Sequence, residues 1–407
     1  MTNVTEELNK VSTSADDSTN YPDIYSTQFE ELLKAIKNDY DKRMKQGENE
    51  NPFEAIRLIK EFRLGALLLP KDEGGSESTL VDVFTAIIRI AEVDPDVAHI
   101  LRAHYIFVED LLEGERTVFK RKILQEVGKG ALLGNAITEI SKHASGSFKY
   151  NTTLTKVDNH YVLDGKKYFC TGTLYADYTV VVAMIDEEVA TVIVPVSREG
   201  VTTEDDWDGI GQKLTGSGTT TFKNVYVNAD ELVGGEEIHA EYASLAQLYL
   251  QAIVAGILKN IVSDAVALIE KRTRAFSHSN NQDLKQDVQL QQVVGELSSY
   301  AYAAESMVLT AAKSQDNASS EQSDTPYGHT ASVHAAQTKV AIEQLAFKAA
   351  TLLFEVGGAS ATKQSANLDR HWRNIRTLSS HNPTLYKARA LGDYYINNEY
   401  LPANSYF

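Results

Sequence analysis

Residues 161–172 read YVLDGKKYFCTG and contain two short runs of strand-forming residues, 161–163 and 167–171, separated by an Asp-Gly pair. Val, Tyr, Phe and Thr favour extended backbone, and Asp-Gly is typical of the turns that join strands. Similar runs, bounded by Gly, Asp or Asn, occur throughout the region from Gly134 to Gly235 and include 178–183, 190–196 and 219–227. The sequence therefore predicts a β domain in the middle of the chain.

Helical periodicity is found on both sides of this β domain. Before it, an apolar stripe over 80–91 is followed by Asp94 and Pro95, which suit the cap and first turn of a new helix. His104 falls on the apolar stripe of that next helix and is expected to point inward. After the β domain we predict four long helices at 239–275, 284–313, 329–356 and 384–399, with a loop at 314–326.

The order of these segments predicts a mainly α protein with a central β domain, of the α+β class. The helix lengths after the β domain are typical of an up-and-down bundle. We expect four parts: a mobile tail at 1–20, an N-terminal helical domain at 21–133, a middle β domain at 134–237 and a C-terminal helical bundle at 238–407.

Composition narrows the possible partners and the compartment. The 407 residues carry a formal net charge of −17, which disfavours nucleic acid and anionic membranes as partners. A single cysteine, Cys170, rules out a disulfide framework, and no metal-binding motif is found. The polar start of the chain lacks the pattern of a signal peptide, so we expect a cytoplasmic protein.

One segment of this acidic chain contains no carboxylate at all, between Asp369 and Asp393. Arg370, Arg373 and Arg376 recur there every three residues and so share a helix face. Cations collected in this way favour a bound anion such as a phosphate. A basic helix face packed against an acidic neighbour is the alternative. The other basic or aromatic members of the segment are His371, Trp372, His381, Lys387 and Arg389.

A set of short motifs, in order along the chain, resembles the acyl-CoA dehydrogenase superfamily. In the β domain these are AITE at 136–139, SGS at 145–147, GKKYFCTG at 165–172, GIGQKLTGSGT at 209–219 and FKNV at 222–225. In the bundle they are RAF at 274–276 and a Gly pair at 357–358. The resemblance implies an N-terminal helical domain, a middle β-barrel domain, a C-terminal four-helix bundle, a bound flavin and a dimer of dimers.

Within that superfamily the chain resembles the flavin-dependent monooxygenase branch, typified by dibenzothiophene monooxygenase and related sulfur-acquisition enzymes. HWRNIRT at 371–377, HNP at 381–383, Tyr386-Lys387 and LGDY at 391–394 carry this resemblance, together with His104-Tyr105. One usual position for the glutamate base of the dehydrogenases, after the Gly pair, is vacant here.

The branch implies FMNH2 supplied by a separate flavin reductase, with FAD as the alternative cofactor. Its reaction with O2 gives a C4a-hydroperoxyflavin that transfers oxygen to sulfur, nitrogen or aromatic carbon of a small apolar substrate. Such chemistry needs a hydrogen-bond donor near the flavin and a site closed to water. The candidates are His104, His381, Cys170 and Thr171, and Thr171 is preferred to Cys170 because a thiol is the poorer donor.

The resemblance also suggests which residues would hold the flavin. Ile137, Thr138 and the 169–171 strand, which comprises Phe169, Cys170 and Thr171, would contact the ring, near Gly357 and Gly358. Arg274 and one or more of Arg370, Arg373 and Arg376 would pair with the phosphate.

Other interpretations stay open at this stage. His104 could be a core histidine bonded to a backbone carbonyl, and His381 could be a helix-terminal histidine. The whole protein could be an FAD-dependent acyl-CoA dehydrogenase with a relocated base such as Glu241, or a non-catalytic flavin-binding scaffold.

Overall fold

The structure is a computed structural model. It describes residues 21–47, 50–113, 115–140, 149–234, 240–272, 274–275, 277, 279–320, 326–402 and 407. The tail predicted at 1–20 and the SGS motif at 145–147 lie outside these ranges. The side chain of Glu241, proposed as a relocated base, also lies outside the described part.

Six helices precede the sheet in the described chain: α1 Thr27–Lys45, α2 Phe53–Phe62, α3 Leu80–Val93, α4 Pro95–Ile100, α5 Arg102–Leu112 and α6 Val118–Gly128. The predicted boundary at Asp94 is confirmed, since its side chain accepts hydrogen bonds from the backbone N–H groups of Asp96 and Val97. The stripe that contains His104 is interrupted at Leu101, where α4 ends and α5 begins.

Within the described residues, eight strands form one mixed sheet: β1 Leu133–Ala136, β2 Thr153–Val157, β3 His160–Lys167, β4 Tyr178–Ile185, β5 Glu188–Pro195, β6 Val201–Glu204, β7 Thr219–Asn228 and β8 Leu232–Gly234. Their order is β6-β7-β3-β2-β4-β5-β8, and β1 pairs in parallel with β4. Where a barrel was expected, β6 and β8 are the two ends of the strand order in the described sheet and are not paired with each other.

The structure corrects the prediction at 161–172. The Asp-Gly pair does not end a strand, because β3 continues through it with a β-bulge between Leu163 and Gly165. The segment 168–171, predicted as strand, is irregular backbone in which Phe169 has φ 57°. Left-handed backbone at a phenylalanine is uncommon and is found most often at turns and functional sites.

Five α-helices follow the sheet in the part of the chain that the structure describes: α7 Ala240–Lys271, α8 Val288–Ser320, α9 Pro326–Gly357, α10 Arg370–Ser379 and α11 Thr384–Asn397. The first three are long and pack against one another, and α11 packs on α9. The predicted loop at 314–326 is wrong in its bounds, because α8 continues to Ser320 and α9 already begins at Pro326.

One hydrophobic core joins helices that precede the sheet in the sequence with helices that follow it. Phe84 of α3, Tyr249 of α7 and Leu353 of α9 belong to the same buried cluster. The segment Ser244–Lys271 of α7 is long and apolar enough to cross a membrane by composition, but α7 lies here in the middle of this core. A separate cluster, which includes Leu163, Val192 and Phe222, fills the interior of the sheet.

Candidate active site

A glycine-rich loop, residues 209–218, connects the sheet to the helical bundle. A Cβ atom on Gly211 would lie 2.3 Å from the carbonyl oxygen of Arg373 in α10, and one on Gly218 would lie 1.9 Å from the carbonyl oxygen of Glu204. Side chains at these positions would therefore push the loop away from α10 on one side and from β6 on the other. The glycines allow one loop to contact both the sheet and the bundle.

The same loop holds the irregular segment that follows β3. The N–H of Cys170 donates to the carbonyl of Gly218, and the N–H of Gly172 donates to the carbonyl of Thr215, each at 3.0 Å. The hydroxyl of Thr171 lies 2.7 Å from that of Ser217. Segment 169–172 is thus fixed by hydrogen bonds despite its lack of regular structure.

The predicted ring-binding residues lie together on this segment and its neighbour. The N–H of Tyr168 donates to the carbonyl of Thr138 at 2.8 Å, which aligns 137–138 beside 168–171. Phe169 exposes 49% of its surface and meets Trp207 edge to face, with ring centroids 5.9 Å apart. Ile137 and Thr138 are half-buried. The arrangement offers an accessible aromatic surface next to polar backbone, which suits a flat heteroaromatic ligand.

Cys170 does not contribute its thiol to this surface. Its side chain is buried, and burial raises the pKa of the thiol to about 11. At neutral pH the sulfur is therefore a protonated thiol that packs inside the sheet.

His99, a residue of α4, was not among the predicted site residues. Its Nδ1 lies 3.0 Å from Oε1 of Gln212, on the glycine-rich loop. His99 Nε2 and Gln212 Nε2 are buried and have no hydrogen-bond partner within the described residues. Burial lowers the pKa of His99 to about 3, so the ring is neutral. Unpartnered buried polar atoms are rare and require an explanation, such as an absent ligand.

Gln212 is itself held firmly. Its N–H donates to Asn374 Oδ1 of α10 at 2.8 Å, and its carbonyl accepts from Trp207 Nε1 at 3.0 Å. Its backbone is left-handed, with φ 50°. A strained residue with this many backbone contacts is typical of functional sites, because the surrounding structure must stabilise the unfavourable backbone. As oriented, Gln212 Oε1 accepts the Nδ1 proton of His99 and leaves Nε2 as an acceptor.

His381, a predicted site residue, lies beside α5. Its Nε2 is 3.4 Å from a guanidinium nitrogen of Arg102. Arginine can only donate, so Nε2 accepts and the ring proton is on Nδ1. Desolvation and the four basic neighbours Arg102, His99, Lys339 and Lys387 lower the pKa of His381 well below its usual value, although part of the residue's surface is exposed.

We call His99, Arg102, Lys339, His381 and Lys387 the basic cluster. Burial lowers the pKa of Arg102 to about 10, that of Lys339 to about 8 and that of Lys387 to about 7. Each of these three cations donates a hydrogen bond to a backbone oxygen: Arg102 to Ala246, Lys339 to Ser379 and Lys387 to Phe407. The cluster collects several cations in one place and would favour an anion, or negative charge that develops on a bound molecule.

The structure contradicts the catalytic role predicted for His104. Its Nε2 donates to the carbonyl of Gly65 at 2.9 Å, and its Nδ1 accepts from the N–H of Leu133 at 3.1 Å. The ring is fully buried, and burial lowers its pKa to about 4. Both nitrogens join the N-terminal helices to β1, so His104 has no proton to donate to a ligand.

The structure also contradicts the phosphate role predicted for Arg370. Its guanidinium contacts Asp264 at 2.5 Å, Asn260 at 3.1 Å and the hydroxyl of Tyr40 at 3.2 Å. Asp264 also bonds His371 Nε2 at 2.8 Å, and these partners keep the pKa of Asp264 near 2 despite burial. This is the alternative in which basic residues pack against an acidic neighbour.

Arg373 and Arg376 differ from Arg370 in their surroundings. Arg373 bonds Asp369 at 2.9 Å, Asn367 Oδ1 at 2.7 Å and the carbonyl of Ile210 at 3.1 Å, so it clamps the glycine-rich loop. The guanidinium of Arg376 lies over the Phe347 ring, 4.0 Å from its centroid. The shared helix face therefore does not form one anion site.

Three further predicted residues differ in exposure, since Gly357 is buried and Gly358 is half-buried. Arg274 is exposed, Gly357 ends α9, and Gly358 has φ 58°. Gly358 needs the conformational freedom of glycine at this helix end. Within the described ranges, no group of three or more His, Cys, Asp or Glu side chains is arranged to hold a metal ion.

Arg370→Gln is expected to destabilise the fold by about 2–4 kcal/mol, because it removes the main cationic partner of the largely buried Asp264. Chemical denaturation with a measured midpoint and slope checks this result. Arg389→Gln, at an exposed position on α11, is the matched control and is expected to cost less than about 0.5 kcal/mol. Normal stability of Arg370→Gln with weakened FMN binding would return Arg370 to the phosphate site.

Two parts of the chain match descriptions of one protein family. Residues 134–225 match "Acyl-CoA dehydrogenase, middle domain", and residues 248–384 match "Acyl-CoA dehydrogenase, C-terminal domain". Together they span more than half of the chain and coincide with the sheet and the bundle. The chain belongs to the acyl-CoA dehydrogenase superfamily. The resemblance found in the sequence is confirmed, and so is the α+β fold class.

Several relatives within this superfamily are monooxygenases. The chain is 26% identical over 361 residues to the probable FMNH2-dependent monooxygenase SfnC of Pseudomonas putida, covering 86% of this chain and 89% of that protein. It is 27% identical over 354 residues to dibenzothiophene monooxygenase of Rhodococcus qingshengii, covering 82% and 84%. The FMN-bound structure of TdsC from Paenibacillus sp. A11-2 matches with a TM-score of 0.84 at 26% identity, over 93% of this chain and 98% of that one. The resemblance to the monooxygenase branch is thereby confirmed.

Proposed function

We propose that this superfamily member is a reduced-flavin-dependent monooxygenase. It would use FMNH2 and O2 to insert one oxygen atom at sulfur, nitrogen or an aromatic carbon of a small apolar substrate, and the second oxygen atom would leave as water. The observation that carries the proposal is the basic cluster, in which two neutral histidines are held in complementary protonation states beside buried cations. The names of the relatives, FMNH2-dependent and dibenzothiophene monooxygenases, support the same class.

The residues present fit a bound flavin. Phe169 and Trp207 offer an aromatic surface, and the backbone of Ile137 and Thr138 lies alongside it. Arg274 is exposed, and Arg376 has its guanidinium stacked over an aromatic ring, so both suit the phosphate better than the internally paired Arg370. Reduced FMN, when bound, supplies the electrons that activate O2.

The two histidines divide the proton-handling roles. His381 holds its proton on Nδ1 because Arg102 occupies Nε2, so it serves as a hydrogen-bond donor to an oxygen atom in the site. His99 leaves Nε2 as an acceptor because Gln212 accepts the Nδ1 proton. Arg102, Lys339 and Lys387 favour negative charge on an oxygen that leaves with its electron pair.

An acyl-CoA dehydrogenase would need a carboxylate base near the flavin. Four basic side chains, those of His99, Arg102, Lys339 and Lys387, surround His381, and the carboxylate of Glu343 lies beside Lys339. The names of the relatives favour the monooxygenase over the dehydrogenase and over the scaffold without catalysis.

The proposal includes the partners and the setting of the enzyme. A separate flavin reductase would supply FMNH2, and the protein would act in the cytoplasm. A homotetramer, as a dimer of dimers, is supported by large apolar side chains that the bundle exposes, such as Leu385, Ile396 and Tyr302.

The test is a coupled assay with the purified protein, a general flavin reductase, FMN and O2. Thioethers such as dibenzothiophene, indole, amines and phenols form the substrate panel, and the products are identified by mass. We expect at least one substrate to gain a single oxygen atom only when reductase, flavin and protein are all present. Hydrogen peroxide as the sole product, with every substrate unchanged, would contradict the proposal.

A further inference from the structure

Three hydroxyl groups form a hydrogen-bonded chain beside the ring-binding segment. Thr171 Oγ1 lies 2.7 Å from Ser217 Oγ, which lies 2.7 Å from Thr215 Oγ1. The Thr215 hydroxyl donates to the carbonyl oxygen of Gln212 at 2.9 Å. All four residues are buried, with Gln212 and Thr215 exposing 1% and 0% of their surface and Ser217 and Thr171 exposing 7% and 8%. The series of hydroxyl groups, which we call the hydroxyl chain, therefore has a fully buried end at Gln212, the closed end, and an end nearer the surface at Thr171.

The carbonyl at the closed end sets the direction of all three protons. A hydroxyl has one proton to donate, and a carbonyl oxygen can only accept. Since Thr215 donates to Gln212, Thr215 accepts from Ser217, and Ser217 accepts from Thr171. If Ser217 instead donated to Thr171, the contact between Ser217 and Thr215 would have no proton and one buried hydrogen bond would be lost. That loss favours the arrangement in which each hydroxyl donates toward Gln212 by about tenfold. Thr171 is left with lone pairs and no proton for an outside partner.

The closed end cannot easily move to accommodate the reverse direction. Trp207 Nε1 and Asn374 Oδ1 hold the Gln212 backbone at 3.0 and 2.8 Å. Arg373 holds the carbonyl of the nearby Ile210 at 3.1 Å. Helix α10 thus holds the carbonyl of Gln212 in place, and this carbonyl determines that the Thr171 hydroxyl donates into the loop.

We propose that this hydroxyl chain makes the flavin site selective for reduced FMN over oxidised FMN. The inference rests on the proposed function, with the flavin ring lying against the 169–171 segment that carries both Phe169 and Thr171. Ring nitrogen N5 carries a hydrogen in reduced flavin and a lone pair in oxidised flavin. Thr171 Oγ1 would accept a hydrogen bond from N5 of the reduced form and would face a lone pair on N5 of the oxidised form. Ser217 and Thr215 are therefore positioning residues that act through Thr171, and Thr171 is an acceptor where the sequence predicted a donor.

Such selectivity suits an enzyme that receives reduced flavin from a separate reductase. A site that favours the reduced form collects it from the reductase and releases the oxidised form after turnover. Discrimination at one ring atom achieves this without any conformational change.

The test is an anaerobic titration of wild type and Ser217→Ala with two probes, oxidised FMN and FMN reduced by dithionite. In wild type we expect reduced FMN to bind at least tenfold more tightly. In Ser217→Ala the Thr171 proton loses its inner acceptor and is free to donate to oxidised N5, so the ratio of the two Kd values falls about tenfold. The midpoint potential of the bound flavin falls by about 30 mV, the equivalent of a tenfold change for a two-electron couple.

The matched control is Thr220→Val, which removes a buried hydroxyl that lies against the Cys170 thiol and is not a member of the hydroxyl chain. We expect its Kd ratio to equal that of wild type. Thr215→Val, which detaches the chain from Gln212, is a second variant with the same expected direction as Ser217→Ala. A Kd ratio unchanged in folded Ser217→Ala and Thr215→Val would overturn the selectivity. Failure of wild type to bind either form of FMN would instead overturn the proposed function, and the selectivity with it.

Discussion

Replacement of His99 by Asn is expected to lower the kcat of oxygen transfer about 10²–10³-fold, while the protein stays folded and binds FMN. His99 Nε2 is a buried acceptor without a partner in the described chain, and Gln212 fixes the tautomer that leaves it so. Asn is shorter and cannot place an acceptor at the same point. Rapid mixing of enzyme, FMNH2, O2 and substrate measures this step apart from flavin supply.

The control for this variant is His104→Gln, at the histidine that the sequence indicated. His104 bonds the backbone at both nitrogens, so we expect this change to lower the midpoint of thermal unfolding. We expect kcat to stay within about threefold of wild type at temperatures where the variant remains folded. The reverse pattern, in which His104→Gln is inactive and His99→Asn is active, would show that the catalytic role belongs to His104 and not to His99.

Glu139→Gln is expected to destabilise the protein by about 3–5 kcal/mol, since it leaves the ammonium of Lys167 buried without a counter-charge. Lys167 Nζ lies 2.8 Å from Glu139 Oε1, and their side chains are 0% and 5% exposed. Glu139 also accepts hydrogen bonds from the N–H groups of Asn151 and Thr152, which holds the edge of the sheet beside the ring-binding segment. Urea denaturation measures the loss.

Glu126→Gln provides the control, because Glu126 pairs with Lys129 on the exposed face of α6 and its loss should cost less than about 0.5 kcal/mol. The pH dependence has a definite sign. Lys167 and neighbouring donors hold the pKa of Glu139 at about 2 against burial, below its unfolded value. Its contribution to stability is complete above about pH 4.5 and is lost as the pH falls toward 2. A cost below about 1 kcal/mol for Glu139→Gln would contradict this account of the pair.

The β domain and the bundle could be predicted because their patterns are local. Strand-forming runs bounded by Gly and Asp, and long apolar periodicities, were enough to locate the sheet and the three long helices. The bounds were less accurate at 314–326, where polar residues suggested a loop but α8 continues to Ser320. The end of a helix depends on what it packs against, which periodicity does not show.

The candidate site was predicted less well because its contacts join distant segments. The acid-free stretch contains His381, which lies beside Arg102 of α5, but Arg370 finds its carboxylate in α7, 106 residues earlier. His99 meets its partner Gln212 across 113 residues, and its sequence neighbours give no sign of this contact. His104 shared an apolar stripe with good candidates, yet its partners are backbone groups that a sequence pattern cannot reveal.

The most direct test of the central claim is a single-turnover reaction under ¹⁸O₂. Enzyme charged anaerobically with FMNH2 and a substrate found in the coupled assay is mixed with ¹⁸O₂, and the product is analysed by mass. We predict one ¹⁸O atom in the product per oxidised flavin, and no labelled product when the enzyme is omitted. A product that contains oxygen from water, or flavin oxidation that yields only labelled hydrogen peroxide, would contradict the assignment of this protein as a monooxygenase.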